Sequence, residues 1–318
     1  MLPQYVRQVW LPACALLVCF VFVGGSEVGN CSTGLLMKVM KPADSSNINS
    51  WIDRNIFDNL KQKHTDIDAV FSNSMQARET NVYMSYAHVL LEEGLLDVYD
   101  VDIVYARRFM SQATNLFEIP AMKNLWQWLD KSLMKAYSSS NGKKLTAFPW
   151  NKDQGILIYR KDLLKKYGYD ESEPLKDSFT WERMEEIASD IVEKEKKANK
   201  ESTLEGYAWQ GKDYEGLTCN LMEWIGSDGI ESQIIDGDKV TLNQQDIEMA
   251  SRSLERVARW IESNITHPQV LENIELDVRQ RFVDGNAIFV RYVSFKSTKH
   301  RHKLKSNNIT LCLNYLIQ

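Results

Sequence analysis

The feature that most narrows what this chain can fold into is an alternation between short apolar runs and segments with helical periodicity. Leu35 to Met40 and Ile67 to Phe71 read as buried strands, and Val98 to Tyr105, with branched residues at its centre, as a third. Between them, Ile52, Ile56, Phe57 and Leu60 recur at helical spacing, and Val82 to Leu91 forms a second helix ended near Gly94. The order βαβαβ predicts a largely parallel sheet covered by helices, because parallel strands need a long crossover that a helix supplies.

The alternation continues after a polar turn at Ser138 to Gly142. Leu145 to Trp150 reads as a strand crossing into a second lobe, Ile156 to Tyr159 as a strand, and Lys161 to Tyr167 as a short helix closed by Gly168. Thr180 caps a helix with Met184, Ile187, Ala188 and Ile191 inward, which runs into the mixed-charge segment Glu193 to Lys200. Gly206 to Trp209 is the next strand, and Leu217 to Ile225 a helix that stops at Gly226 and Gly229. Asn243, with Asp246 three residues on, caps a long helix whose inward face is read as Ala250, Leu254, Val257, Ala258 and Ile261. Ile274 to Val283 is a further helix, and a turn at Asp284 to Asn286 leads to the strand Ala287 to Tyr292. The chain is therefore expected to hold a targeting segment at 1–25, an N-terminal α/β lobe at 26–147 and a second α/β lobe at 148–286. A strand returning toward the first lobe follows at 287–296, then a divergent tail at 297–318. A ligand cleft is expected between the lobes, beyond the strand ends.

Hydrophobic residues make up 44% of the 318 residues and charged residues 25%, which places the chain among globular proteins. The net charge of -5 argues against a nucleic-acid partner, since a duplex would repel it unless a basic face were segregated. At the N-terminus, Arg7 supplies a positive flank and Trp10 to Val23 an apolar stretch too short for a membrane span. Val23-Gly24-Gly25 then offers small residues for cleavage before Ser26, so the pattern is that of a cleaved signal peptide of a secreted protein; an uncleaved anchor is the alternative. Asn30 before Cys31 argues against a lipidated cysteine. Cleavage leaves Cys31, Cys219 and Cys312, which form neither a disulfide framework nor a metal-binding spacing. Asn30, Asn264 and Asn308 each open an acceptor triplet for N-glycosylation.

Four blocks carry a resemblance. Phe148-Pro-Trp-Asn-Lys-Asp-Gln-Gly-Ile-Leu-Ile-Tyr-Arg160, continuing to Tyr169, is similar to a hallmark of family-1 extracellular solute-binding proteins, with the trehalose/maltose-type receptors of ABC sugar importers nearest. Thr180 to Ala188, Trp209 to Ile225 and Arg281 to Arg291 follow in the family order, and Val98 to Tyr105 resembles the family's cleft-edge strand. The resemblance implies an α/β protein of the periplasmic-binding-protein type II fold, in which two α/β lobes close on a sugar and the closed form docks on a membrane permease. It implies a monomer with no catalytic activity and no cofactor or metal. The family runs further at its C-terminus, so the C-terminal part of the fold is expected to be incomplete here.

A sugar presents hydroxyls, which carboxylates hold through charge-assisted hydrogen bonds, and apolar C–H faces, which pack on aromatic rings. Asp153, beside Trp150 and the strand Ile156 to Tyr159, matches a family carboxylate, and Asp102 matches its counterpart in the first lobe, with Asp100 competing for that role. Trp209, Tyr214 and Glu215 precede or open a helix; Glu215 also suits the helix dipole there, and Trp209 reads equally as core. Trp224 and Trp260 read as packing. Arg291 matches a family arginine, but Tyr292-Val293-Ser294-Phe295 replaces the usual Asn-Trp-Pro-Tyr, so one aromatic platform is absent from its usual place. Asp44 occupies a loop that often offers polar ligands. Three other readings remain open on sequence: the ectodomain of a sugar-sensing membrane receptor, a glycosidase using Asp153 with Asp102 or Glu215, and a degenerate product that binds nothing. No GxSxG, HExxH or phosphate-loop motif supports catalysis.

Overall fold

The computed structural model describes residues 20–22, 35–40, 62, 67–72, 80–122, 129, 131–139, 141–149, 155–176, 178–230, 235–236, 239–293 and 314–315. The chain divides into two units, residues 1–152 with 236–238, and residues 153–235 with 239–318.

The first unit is built on a five-stranded sheet of β1 (Phe20–Phe22), β2 (Leu35–Met40), β3 (Ile67–Ser72), β4 (Val98–Asp100) and β5 (Ala147–Phe148), in the order β3-β2-β4-β1-β5. β2 runs parallel to both β3 and β4, as the alternation predicts. The helix predicted at Ile52 to Leu60 lies outside the described residues. The helix predicted at Val82 to Leu91 is α1 (Thr80–Glu92), which buries Tyr83, Met84, Ala87 and Leu91 at helical spacing. Two differences are physical. β1 pairs antiparallel with β4 and β5, so Phe20–Phe22 is part of the sheet although the sequence pattern places it in a leader; a branched and aromatic run suits the gap between two short strands. β4 also ends at Asp100, well short of Tyr105. The Asp102 carboxylate accepts the Val104 N–H at 2.9 Å, and the Asp102 carbonyl accepts the Tyr105 N–H at 2.9 Å. This local turn competes with the ladder and leaves Ile103 and Val104 exposed.

The second unit holds β6 (Gly155–Tyr159), β7 (Glu205–Ala208), β9 (Lys239–Val240), β10 (Ala287–Val293) and β11 (Asn314–Tyr315), while β8 (Ile235–Asp236), paired with β9, straddles the division after Ile235. Its main sheet has the order β11-β6-β10-β7. β10 is antiparallel to β6 and parallel to β7. The strand expected to return toward the first lobe is therefore a central strand of the second unit. Its run Ala287-Ile-Phe-Val290 is buried throughout, as a strand covered on both faces must be. The tail contributes β11, paired with β6 at Leu157 and Ile156.

Helices α2 (Lys131–Ala136), in the first unit, and α3 (Lys161–Lys166), α4 (Trp181–Ala198), α5 (Glu215–Ser227), α6 (Gln244–Glu262) and α7 (Glu275–Val283), in the second, complete the described elements. The predicted caps form: the Thr180 side chain accepts the Arg183 N–H, and Asn243 and Asp246 make a reciprocal capping box. α4 carries on through the mixed-charge segment, supported by ion pairs such as Lys194–Asp190 and Lys197–Glu193 one turn apart. Its inward residues meet a ring cluster in which Trp181, Tyr207 and Trp260 lie 5.4 to 5.8 Å apart, centroid to centroid.

The inward face of α6 differs from the sequence reading. Asp246, Ser253, Arg256, Val257 and Trp260 are buried, whereas Leu254 is 48% exposed and Ala258 is also exposed. The Arg256 guanidinium explains the rotation. It bonds Asp228 at 3.0 and 2.6 Å and lies over Trp181 and Trp260, 5.8 and 5.7 Å from the ring centroids. A polar side chain that buries its stem and pairs its head occupies a core position that a hydrophobicity pattern assigns to leucine. Accordingly, Leu254→Lys will change stability by no more than about 0.5 kcal/mol. Trp260→Ala will cost roughly 3–5 kcal/mol, both read by denaturant titration.

Candidate functional site

In open α/β sheets, ligands bind beyond the carboxyl ends of the strands. In the second unit, β7 and β10 run parallel and end at the same edge, and β6 begins there, with Gly155 opposite Val293. Four of the expected ligand residues, Trp209, Tyr214, Glu215 and Arg291, lie at that edge. Asp153 stands two residues before Gly155 in the chain, Trp209 directly follows β7, Tyr214 is the N-cap of α5, Glu215 is its first residue, and Arg291 lies near the end of β10. Asp153, Trp150 and Asp44 themselves lie outside the described residues, as do Asn30 and Asn308.

Beneath this edge lies a buried polar array. The Arg291 guanidinium is held by the Glu223 carboxylate, Nε to Oε2 at 3.0 Å and Nη2 to Oε1 at 2.6 Å, and donates through Nη1 to Gln210 Oε1 at 3.3 Å. The side chains of Arg291 and Glu223 are only 4% and 6% exposed. Burial by itself lowers the arginine pKa; the Glu223 carboxylate overrides it and holds the guanidinium above its ordinary value. Gln210 Nε2 donates to the Arg291 carbonyl at 3.2 Å. Asn220 Nδ2 donates to the Gln210 carbonyl at 3.0 Å and to the Gly216 carbonyl at 2.8 Å. A Cβ at Gly155 would overlap the Glu223 carboxylate, so the start of β6 approaches that group only because position 155 lacks a side chain.

The remaining expectations sort by exposure. Trp209 is 2% exposed, stands edge-on to Trp224 at 4.8 Å, and donates from its indole N–H to Thr266 Oγ1 at 3.4 Å. Its ring thus supports the strand end from within the core and offers no face to a ligand. Trp224 and Trp260 are fully buried. Tyr214 is buried and folds over Gly216, where a Cβ would collide with its ring. Burial, with the Glu275 carboxylate beside it, pushes the phenol well above its ordinary pKa, so it stays a neutral hydroxyl. Glu215 is half-buried in the first turn of α5. In the first unit, Asp102 is half-buried just past the carboxyl end of β4. Asn264 is exposed in a left-handed turn with φ of 59°. Sequence reasoning missed Gln210, Asn220 and Glu223. The available signal was two polar residues three apart, Asn220 and Glu223, on the buried face of an otherwise apolar helix.

Among the described residues no group of His, Cys, Asp or Glu could hold a metal ion, and no helix is long and apolar enough to cross a membrane. The profile of the family described as bacterial extracellular solute-binding protein matches residues 43–277. The chain belongs to that family. A probable ABC transporter-binding protein of Deinococcus radiodurans is 35% identical over 199 residues, which are 62% of this chain and 43% of the relative. The chain thus spans less than half the length of that relative. Among solved structures, maltose-bound MalE3 of T. maritima is similar with a TM-score of 0.60 and 25% identity, over 81% of this chain and 61% of that one. A solute-binding protein of Thermotoga lettingae, solved with α-D-tagatose, aligns with a TM-score of 0.63 and 14% identity, over 89% of this chain and 69% of that one. A sugar transporter protein of Arthrobacter chlorophenolicus, solved with laminaribiose, gives 0.59 and 16%, over 87% and 65% of the two chains. The fold of this family member is accordingly the α/β periplasmic-binding-protein type II fold.

The clearance at Gly155 makes a direct prediction for the solute-binding fold. Gly155→Ala, harmless by strand propensity, will force Glu223 out of its place and cost about 1–3 kcal/mol, the usual range for overpacking. Thermal unfolding of the two proteins measures it.

Proposed function

We propose that this solute-binding protein holds a carbohydrate by lobe closure and presents it to an ABC-type permease on the outer side of a membrane. The observation that supports the reading is the strand edge of the second unit, where the half-buried Glu215 opens α5 just after the end of β7, over a buried polar array. A carboxylate at such an edge suits the hydroxyls of a polyol. The family membership and the sugar-bound relatives support the same substrate class.

In this reading Asp153, Asp102, Glu215, Trp150 and Asp44 touch the sugar, while Trp209, Tyr214 and Arg291 hold the site from below. Sugar that contacts both lobes only when they are closed shifts the open–closed equilibrium by its differential affinity for the closed form. The role is binding without turnover. Secretion belongs to the same reading, with Asn264 as an exposed acceptor if the host glycosylates.

A thermal-shift screen against mono- and disaccharides will identify a stabilising sugar, maltose being the first to try. In calorimetry with that sugar, Asp153→Ala will weaken binding by tenfold or more, because a charged acceptor contributes about 1.5–3 kcal/mol to such hydrogen bonds. Unchanged affinity removes Asp153 from the site, and no stabilisation by any sugar contradicts the carbohydrate reading.

A further inference from the structure

We propose that Gln210, Asn220, Glu223 and Arg291 form a positioning device for the ligand edge of the second unit, a role that rests on the carbohydrate reading for its purpose but not for its physics. The array is an expensive way to fill a core. Charges taken out of water carry a heavy desolvation penalty, and a packed apolar set of similar volume is often as stable or more so. What the array does that an apolar set cannot is bond particular backbone groups.

Those groups belong to the segments that carry the candidate ligand residues. Asn220 holds the Gln210 carbonyl, next to Trp209, and the Gly216 carbonyl, next to Glu215. Gln210 reaches across to the Arg291 carbonyl in β10. Glu223 fills the space left open by Gly155, at the start of β6 and two residues after Asp153. The loop from β7 to α5 is further tied by the Gly211 N–H to the Val270 carbonyl at 3.1 Å and the Lys212 N–H to the Asn273 carbonyl at 3.3 Å. Four side chains thus set the relative placement of a strand start, two strand ends and a helix start. In such a site, a loose supporting shell lets the contact groups drift from productive geometry. None of the four needs to touch the sugar.

The test uses the full chain and has two readouts. Glu223→Gln, and the milder Asn220→Ala in case the first fails to fold, are compared with Val257→Ala, which thins the core on α6 away from this edge. Amide hydrogen exchange without ligand will show the Gly211, Lys212 and Tyr214 amides exchanging at least tenfold faster in the two array variants. In Val257→Ala they will keep their rank among the unit's amides even though the protein is destabilised. Calorimetry with maltose, or with the sugar found by screening, will show at least a tenfold loss in the array variants and under threefold in the control. Unchanged exchange at those three amides in Asn220→Ala and in a folded Glu223→Gln overturns the positioning role, as does an equal change in the control. Faster exchange in a protein whose parent gives no heat with any sugar leaves the device standing and removes the carbohydrate reading alone.

Discussion

The second unit is organised around one interaction, the buried pair of Arg291 and Glu223. The two groups face each other across the sheet-to-helix layer, with the arginine on a central strand and the carboxylate on α5. Leaving either alone would strand a charge in the core, so each dictates the other's position. The constraint then propagates. Gly155 must lack a side chain, Gln210 must accept from Arg291 Nη1, and Asn220 must face inward one turn before Glu223 on the same helix. An apolar core tolerates many arrangements of similar volume, whereas this one admits few, and it lies directly under the proposed ligand edge.

The alternation of strand and helix was legible because it depends on local rules. Caps such as Thr180 and the Asn243–Asp246 box follow from side-chain oxygens meeting unpaired helix amides, and both formed where the sequence places them. That Trp209, Tyr214, Glu215 and Arg291 come together at one strand edge was not legible, because the pairing of β10 with β6 and β7 joins segments far apart in sequence. Nor were the roles inside that cluster. Trp209 carries the same residue type whether it stacks on a sugar or on Trp224, and only burial separates the two.

The misread elements share a cause. In α6 the hydrophobic period selects Leu254, yet Arg256 and Ser253 take the inward positions through Asp228, a residue outside that helix. The strand expected through Tyr105 gives way to a turn made by one Asp102 carboxylate. β10 was expected to leave its lobe, and its partners β6 and β7 lie far from it in sequence. In each case a long-range or side-chain bond outweighs a local pattern, and such bonds are invisible to periodicity.

If Glu223 and Arg291 act as one unit, a double-mutant cycle in stability will show it. Glu223→Leu and Arg291→Met are made singly and together, with unfolding free energies from denaturant titration. The account predicts that each single change costs about 3–5 kcal/mol and that the double variant costs no more than either, a coupling of roughly 3 kcal/mol. Losses that add to within about 0.5 kcal/mol would show two independent residues and contradict it.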